Sequence, residues 1–153
     1  QADRQALRAA LSDGTIDALV SDHHPVLGDE KALPFAEAEP GASGLELLLS
    51  LTLKWAQEDG LSPLQALSAV TSRPAAILRQ SHPAVPSGAG RLQVGAEADL
   101  CLVQADPVWQ LDPAQLHSQG RHTPFAFDCT GMSLPARVHS TMVAGAWAWP
   151  HRG

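Results

Sequence analysis

The chain has 153 residues, 44% hydrophobic and 17% charged, a globular rather than a disordered composition. Its formal net charge of -6 argues against nucleic acid or an anionic membrane surface as the main partner. The longest apolar run, Leu45 to Ala56, contains Glu46 and Lys54 and is too short to span a bilayer.

The chain opens on Gln1, in the lead-in to a helix, and reads as part of a longer polypeptide. Asp3 is the candidate N-cap of that helix, which carries Leu7, Ala10 and Leu11 on one face. Asp13-Gly14 closes it, with Gly14 suited to the left-handed C′ position. A buried strand from Thr15 to Val20 is predicted next, and helix, turn and strand together point to a parallel α/β architecture.

The stretch from Ile16 to Leu27 organises the rest. Ile16, Leu19 and Val20 lead into Ser21, Asp22, His23 and His24, and Pro25 stops any regular element. An α/β barrel offers metal ligands or a proton acceptor in this way, from the end of a buried strand. A turn in which Asp22 caps the backbone and the histidines are solvated fits the same residues. From Val26 to Ala42 no period is visible; a loop of that length is usually functional or disordered, and one leaving a strand end favours an active-site loop. Its acidic part, Asp29 to Glu39, also reads simply as solvated.

Ser43-Gly44-Leu45-Glu46 reads as a capping box opening an apolar helix with Leu47, Leu48, Leu51 and Trp55 at helical spacing, ended by Asp59-Gly60. Ser62-Pro63-Leu64-Gln65 opens a second helix, with Leu64, Leu67, Ala69 and Val70 as its buried candidates. Thr71 to Pro74 opens a third, from Ala75 to Arg79, and the Pro, Ser, Gly and Ala-rich segment from Gln80 to Gly90 is the best boundary in the chain. Beyond it the pattern is mostly β. Strands are predicted over 99–103, over 109–111 after an Asp106-Pro107 turn, and over 136–143, with an Ala144-Gly145 hairpin into 146–149. A short helix is expected near Pro113 to Ser118, and Trp109, Trp147 and Trp149 are candidates for one packed cluster. Cys101 and Cys129 have no metal-type spacing and make no disulfide framework, so a reducing cytoplasm is the default compartment. His82, His117, His122, His139 and His151 read as structural or solvated, and Asp99 as a partner for backbone amides at a strand start.

Several segments, in order, resemble one family. Gly14-Thr15-Ile16-Asp17-Ala18 followed by Ser21-Asp22-His23 and Pro25 looks like the last barrel strand of dihydroorotases, cyclic amidohydrolases of pyrimidine synthesis. Asp29-Glu30-Lys31, Pro34-Phe35, the Gly41, Ser43-Gly44 and Glu46 helix start, and Ser72 with Pro74-Ala75 extend the likeness. So do Gly90-Arg91-Leu92 with Gly95 and Ala98-Asp99-Leu100, and Gly120-Arg121 with Thr123-Pro124-Phe125.

The resemblance implies an α/β fold: the C-terminal part of a metal-dependent (β/α)8 TIM barrel plus a small C-terminal β domain. On that reading residues 1–80 are the last βα portion of the barrel, 81–90 a linker and 91–153 the β-rich domain. It implies interconversion of dihydroorotate, or a related cyclic amide, and N-carbamoyl-L-aspartate, with zinc as cofactor. It also implies a homo-oligomer. Asp22 would be both metal ligand and general base, and His24, Pro40 and Gly41 would contact substrate. The family's other ligands, a His-x-His pair, a carboxylated lysine and two further histidines, have no match here, so the chain alone is expected to be inactive. Two positions depart from the family pattern: Val26 stands where a substrate-binding histidine is usual, and Pro40 where an aromatic residue is. These leave open a second reading, a non-catalytic dihydroorotase-like scaffold for aspartate carbamoyltransferase.

Overall fold

The computed structural model describes residues 1–127 and 130–149, so Cys129 and His151 lie outside the described residues. Helix α1 spans Ala2–Asp13, and Gly14 ends it at φ 86°, in the left-handed region where a Cβ would be strained. Its N-cap is Gln1; Asp3, expected there, lies within the first turn, where a carboxylate still favours the helix dipole. Arg8 reaches from α1 to Glu58 and Asp59, each at 2.9 Å. The Arg8 hydrogen bond holds the Glu58 carboxyl below the usual carboxylate range.

After α2 (Gly28–Lys31), a 3-10 turn at Leu45–Leu47 leads into α3 (Leu48–Asp59), which Gly60 ends at φ 66°. Helix α4 (Pro63–Ser68) begins as expected: Ser62 Oγ accepts from the Gln65 amide at 3.2 Å, with Pro63 in the first turn. Helix α5 spans Ser72–Ser81. Trp55 and Ala56 of α3 pack with Ala66 and Ala69, and Leu11, Leu19 and Leu61 close over them. Small residues bring α4 close to α3, so Ala66 and Ala69 are the buried positions while Leu64 is 80% exposed.

The β part is an antiparallel three-stranded sheet in the order β1-β4-β5, from β1 (Leu100–Gln110), β4 (Ser133–Val143) and β5 (Ala146–Trp149). A two-residue pair, β2 (Ala126–Phe127) and β3 (Thr130–Gly131), lies beside it. The two strands expected around Asp106-Pro107 are one. The register with β4 breaks between Gln104 and Val108 and then resumes. A bulge absorbs Pro107, whose missing amide would otherwise interrupt a ladder. Opposite it Ala136 takes φ 61°, and its carbonyl accepts from Trp109 Nε1 at 2.7 Å and Ser50 Oγ at 3.2 Å. The β4–β5 hairpin turns on Ala144 (φ 49°) and Gly145 (φ 78°), the two positive values a type I′ turn requires. Asp99 accepts from the Ala144 amide at 2.8 Å, so it braces this turn.

Two of the three tryptophans expected to cluster take separate partners. Trp109 lies under the Arg137 guanidinium at 4.7 Å and packs on the main core, whereas Trp149 meets His117 edge-on at 4.8 Å. That core joins the helical and β parts: Leu47, Leu111, Leu116 and Leu134 are buried together. Burying each such leucine is worth about 1.5–3 kcal/mol, so the contact fixes one part on the other.

Large apolar side chains nevertheless face outward, among them Val20, Phe35, Leu64, Leu92, Val94 and Val108. Expressed alone, residues 1–153 should therefore self-associate, with an apparent mass that rises with concentration in sedimentation. A concentration-independent monomer with a sharp cooperative melt would refute this.

Candidate functional site

No strand forms at Thr15–Val20, contrary to the sequence expectation; the segment bends at Thr15 and Ile16 and has no ladder partner among the described residues. A strand is defined by its neighbour, and side-chain pattern cannot supply one. Two backbone bonds place it instead: Ile16 N to the Ala10 carbonyl at 2.9 Å and Leu19 N to the Ala69 carbonyl at 3.0 Å. Leu19 thus packs on the α3–α4 core, while Val20 is 71% exposed.

At Asp22 the chain turns with φ 43°. Aspartate is among the few L-residues that enter this region readily, and a positive φ outside glycine often marks a constrained functional turn. Asp22 is exposed. His23, half-buried, accepts at Nδ1 from the amides of Gly44 (3.2 Å) and Leu45 (3.3 Å). These two bonds tie the turn to the start of the α3 segment. His24 is exposed, and its amide donates to the Ala42 carbonyl at 3.0 Å.

Glycines make the close approaches around this turn. A Cβ on Gly41 (φ 133°) would lie 2.5 Å from the His24 carbonyl oxygen and 2.9 Å from Val26 Cγ2. One on Gly44 would lie 2.5 Å from the Ser21 oxygen, and one on Gly120 2.6 Å from both the nitrogen and oxygen of Val26. The structure thus brings Gly41 onto His24 and Val26, with Pro40 exposed just before it. Lys31 Nζ donates to the Glu39 carbonyl, closing the 28–39 loop on itself with Phe35 fully exposed at its tip. That loop, expected without regular structure, contains the single turn of α2.

The capping box expected at Ser43 and Glu46 is absent. Ser43 Oγ donates to the Gly120 carbonyl, the Ser43 amide donates to the His122 carbonyl at 2.7 Å, and Glu46 accepts from the amides of His117 and Ser118 at 2.9 Å each. Both residues serve the 117–122 loop rather than their own helix start. Sequence reasoning flagged Gly120 only as part of a motif, and nothing local shows that it backs the Asp22 turn.

Val26 is 3% exposed, wedged between Gly41 and Gly120. It packs against both backbones, which leave little room for a larger side chain. Val26→His should lower stability by about 1–3 kcal/mol through overpacking and a buried imidazole, without raising activity. A higher kcat/KM with an unchanged melting temperature would contradict this placement.

Among the described residues no three His, Cys, Asp or Glu side chains converge as a metal site. The donor set fits one ligand of a larger set, since Asp22 is exposed while His23 Nδ1 is already occupied by two amides.

The chain matches the amidohydrolase family over residues 1–148. It is 38% identical over 144 residues to a dihydroorotase of Citrifermentans bemidjiense, covering 94% of this chain and 31% of the relative. It is 44% identical to a dihydroorotase-like protein of Pseudomonas aeruginosa, covering 95% and 31%. The chain therefore spans about a third of the length of these relatives. Among solved structures, the L-hydantoinase (dihydropyrimidinase) of Arthrobacter aurescens superposes with a TM-score of 0.73 at 31% identity, covering 92% of this chain and 30% of that one. A dihydropyrimidinase from Brevibacillus agri superposes at 0.81 with 20% identity, covering 96% and 31%, a likeness of fold. No helix among the described residues is long and apolar enough to cross a membrane. The chain belongs to the amidohydrolase family, and its helices and small antiparallel sheet are the C-terminal part of that (β/α)8 barrel with its β domain.

Proposed function

We propose that this chain works within a longer polypeptide as the C-terminal part of a dihydroorotase-type cyclic amide hydrolase, interconverting dihydroorotate and N-carbamoyl-L-aspartate. Supporting this is a single observation: an exposed aspartate at φ 43°, braced by glycines on both sides, where the family likeness expects the proton acceptor. In the proposed chemistry Asp22 takes the proton of the attacking water and returns it to the leaving ring nitrogen. Asp22 would also be one ligand of a zinc ion whose other ligands lie outside this chain. Bound zinc would lower the pKa of its water to about 7. His24, Pro40 and Gly41 would line the substrate side of the turn, with His24 Nδ1 or Nε2 available as a polar contact. The chain by itself would not turn over.

A second reading, a non-catalytic scaffold for aspartate carbamoyltransferase, draws on Val26 and Pro40, which depart from the family pattern. The deciding experiment assays the full-length protein, with metal content quantified, on dihydroorotate in both directions and on hydantoin and dihydrouracil. Hydrolysis of dihydroorotate with stoichiometric zinc supports the first reading. A metal-free, inactive protein that co-purifies with the carbamoyltransferase supports the second, and selective hydantoin hydrolysis would overturn the substrate assignment.

A further inference from the structure

We infer that Glu46 and Ser43 are positioning residues for the Asp22 turn, acting through the loop that carries Gly120; this rests on the reading of Asp22 as proton acceptor. Glu46 is exposed, as is ordinary for a glutamate at a helix start. Its hydrogen bonds are not ordinary: each carboxylate oxygen accepts one of two consecutive amides, His117 and Ser118, 71 and 72 residues further on. Charge-assisted bonds of this kind are roughly twice as strong as neutral ones. Ser43 adds two links to the same loop, its hydroxyl to the Gly120 carbonyl and its amide to the His122 carbonyl.

What the loop touches gives these links their consequence. Gly120 lies flat against the backbone of Pro25 and Val26, with no room for a Cβ. Immediately after Asp22, His23 is held by the amides of Gly44 and Leu45, which sit between Ser43 and Glu46 in sequence. The segment is therefore held at two points, His23 and Pro25–Val26, and both holds start from residues 43–46. Asp22 keeps its left-handed φ because neighbours over-determine it, not because the turn prefers it. Without the Glu46 carboxylate, residues 117–118 lose their anchor, Gly120 can withdraw from Val26, and the carboxylate of Asp22 samples a wider range of positions. A misplaced base slows the chemical step more than it weakens binding.

The test uses the full-length protein with matched metal content, comparing Glu46→Gln, Glu46→Ala and Ser43→Ala. Glutamine keeps one acceptor and alanine none, so the effects should be graded. Amide hydrogen exchange should rise about tenfold per lost bond at His117 and Ser118. It should also rise at Ser43 and His24, whose amides bond the His122 and Ala42 carbonyls. In Glu46→Gln, kcat should fall about tenfold with KM changed by no more than about twofold, and Glu46→Ala should fall further. Faster exchange confined to His117 and Ser118, with His24 protection and kcat intact, would make Glu46 a local loop anchor and overturn the inference. A raised KM at unchanged kcat would do the same by assigning the loop to binding. Should Asp22→Asn retain full activity, the reading of Asp22 fails, and His24 exchange alone then judges whether Glu46 braces the turn.

Discussion

Asp22→Asn in the full-length protein should reduce kcat for dihydroorotate hydrolysis by about a thousandfold, with little change in melting temperature. Asparagine is the informative replacement because it also tolerates the left-handed backbone that Asp22 adopts at φ 43°. The turn, its glycine contacts and the His23 bonds to Gly44 and Leu45 are thereby kept. What is lost is the negative charge and the ability to take a proton, and a positioned general base contributes about 10²–10⁴ to rate. Alanine would confound the result, since it adds backbone strain to the loss of the carboxylate. Metal content must be measured alongside, because the same carboxylate is proposed as a ligand. Near-normal turnover in a metal-replete Asn variant would remove Asp22 from the mechanism.

Gly120→Ala should be strongly damaging although it lies outside the turn itself. Its Cβ would sit 2.6 Å from two backbone atoms of Val26 and 2.9 Å from the Pro25 carbonyl carbon. Backbone atoms cannot rotate aside as a side-chain tip can, so either the 117–122 loop or the Asp22–Val26 segment must move. The expected loss is roughly 3 kcal/mol, at the upper end for overpacking, read as a lowered denaturation midpoint. Activity should fall with it, even measured well below the melting temperature. Gly28→Ala is the matched control: it lies in α2 with nothing within 4 Å of its Cβ, and should be neutral or slightly stabilising. Equal behaviour of the two variants would show that Gly120 does not support the turn.

The helix ends and the hairpin could be read from sequence because their signals are local. Gly14 and Gly60 take the left-handed conformation, Ser62 caps α4 on Gln65, and Ala144-Gly145 makes the turn into β5. The same local logic misassigned Ser43 and Glu46. Their spacing satisfies a capping box, yet their partners lie 71 to 79 residues away, beyond any window in which pattern carries information. Thr15–Val20 has the composition of a buried strand, but without a ladder partner among the described residues it is not one. Asp22 was legible as a candidate from its residue type and family likeness. Its φ, and the glycines that hold it, were not, because a close approach belongs to two segments at once. At Val26 the motif shows only a departure from the family pattern, whereas its burial depends on Gly41 and Gly120, which no local window links to it.

The long spans that brace the turn also set the order in which the site can come into being during synthesis. A ribosome emits the Asp22 segment well before Gly120, and the Ser43 link to Gly120 must wait for 77 further residues. At translation rates of about 5–20 residues per second that interval is about 4–15 s. The α3–α4 cluster of Trp55, Ala56, Ala66 and Ala69 draws on nearby sequence and can form within it. Closing a 77-residue loop rather than a ten-residue one adds only about 2 kcal/mol of entropy, so the later step is delayed rather than disfavoured. The nascent protein accordingly passes through a stage with its helices packed and its aspartate turn unbraced, a state that leaves Val26 uncovered to chaperones.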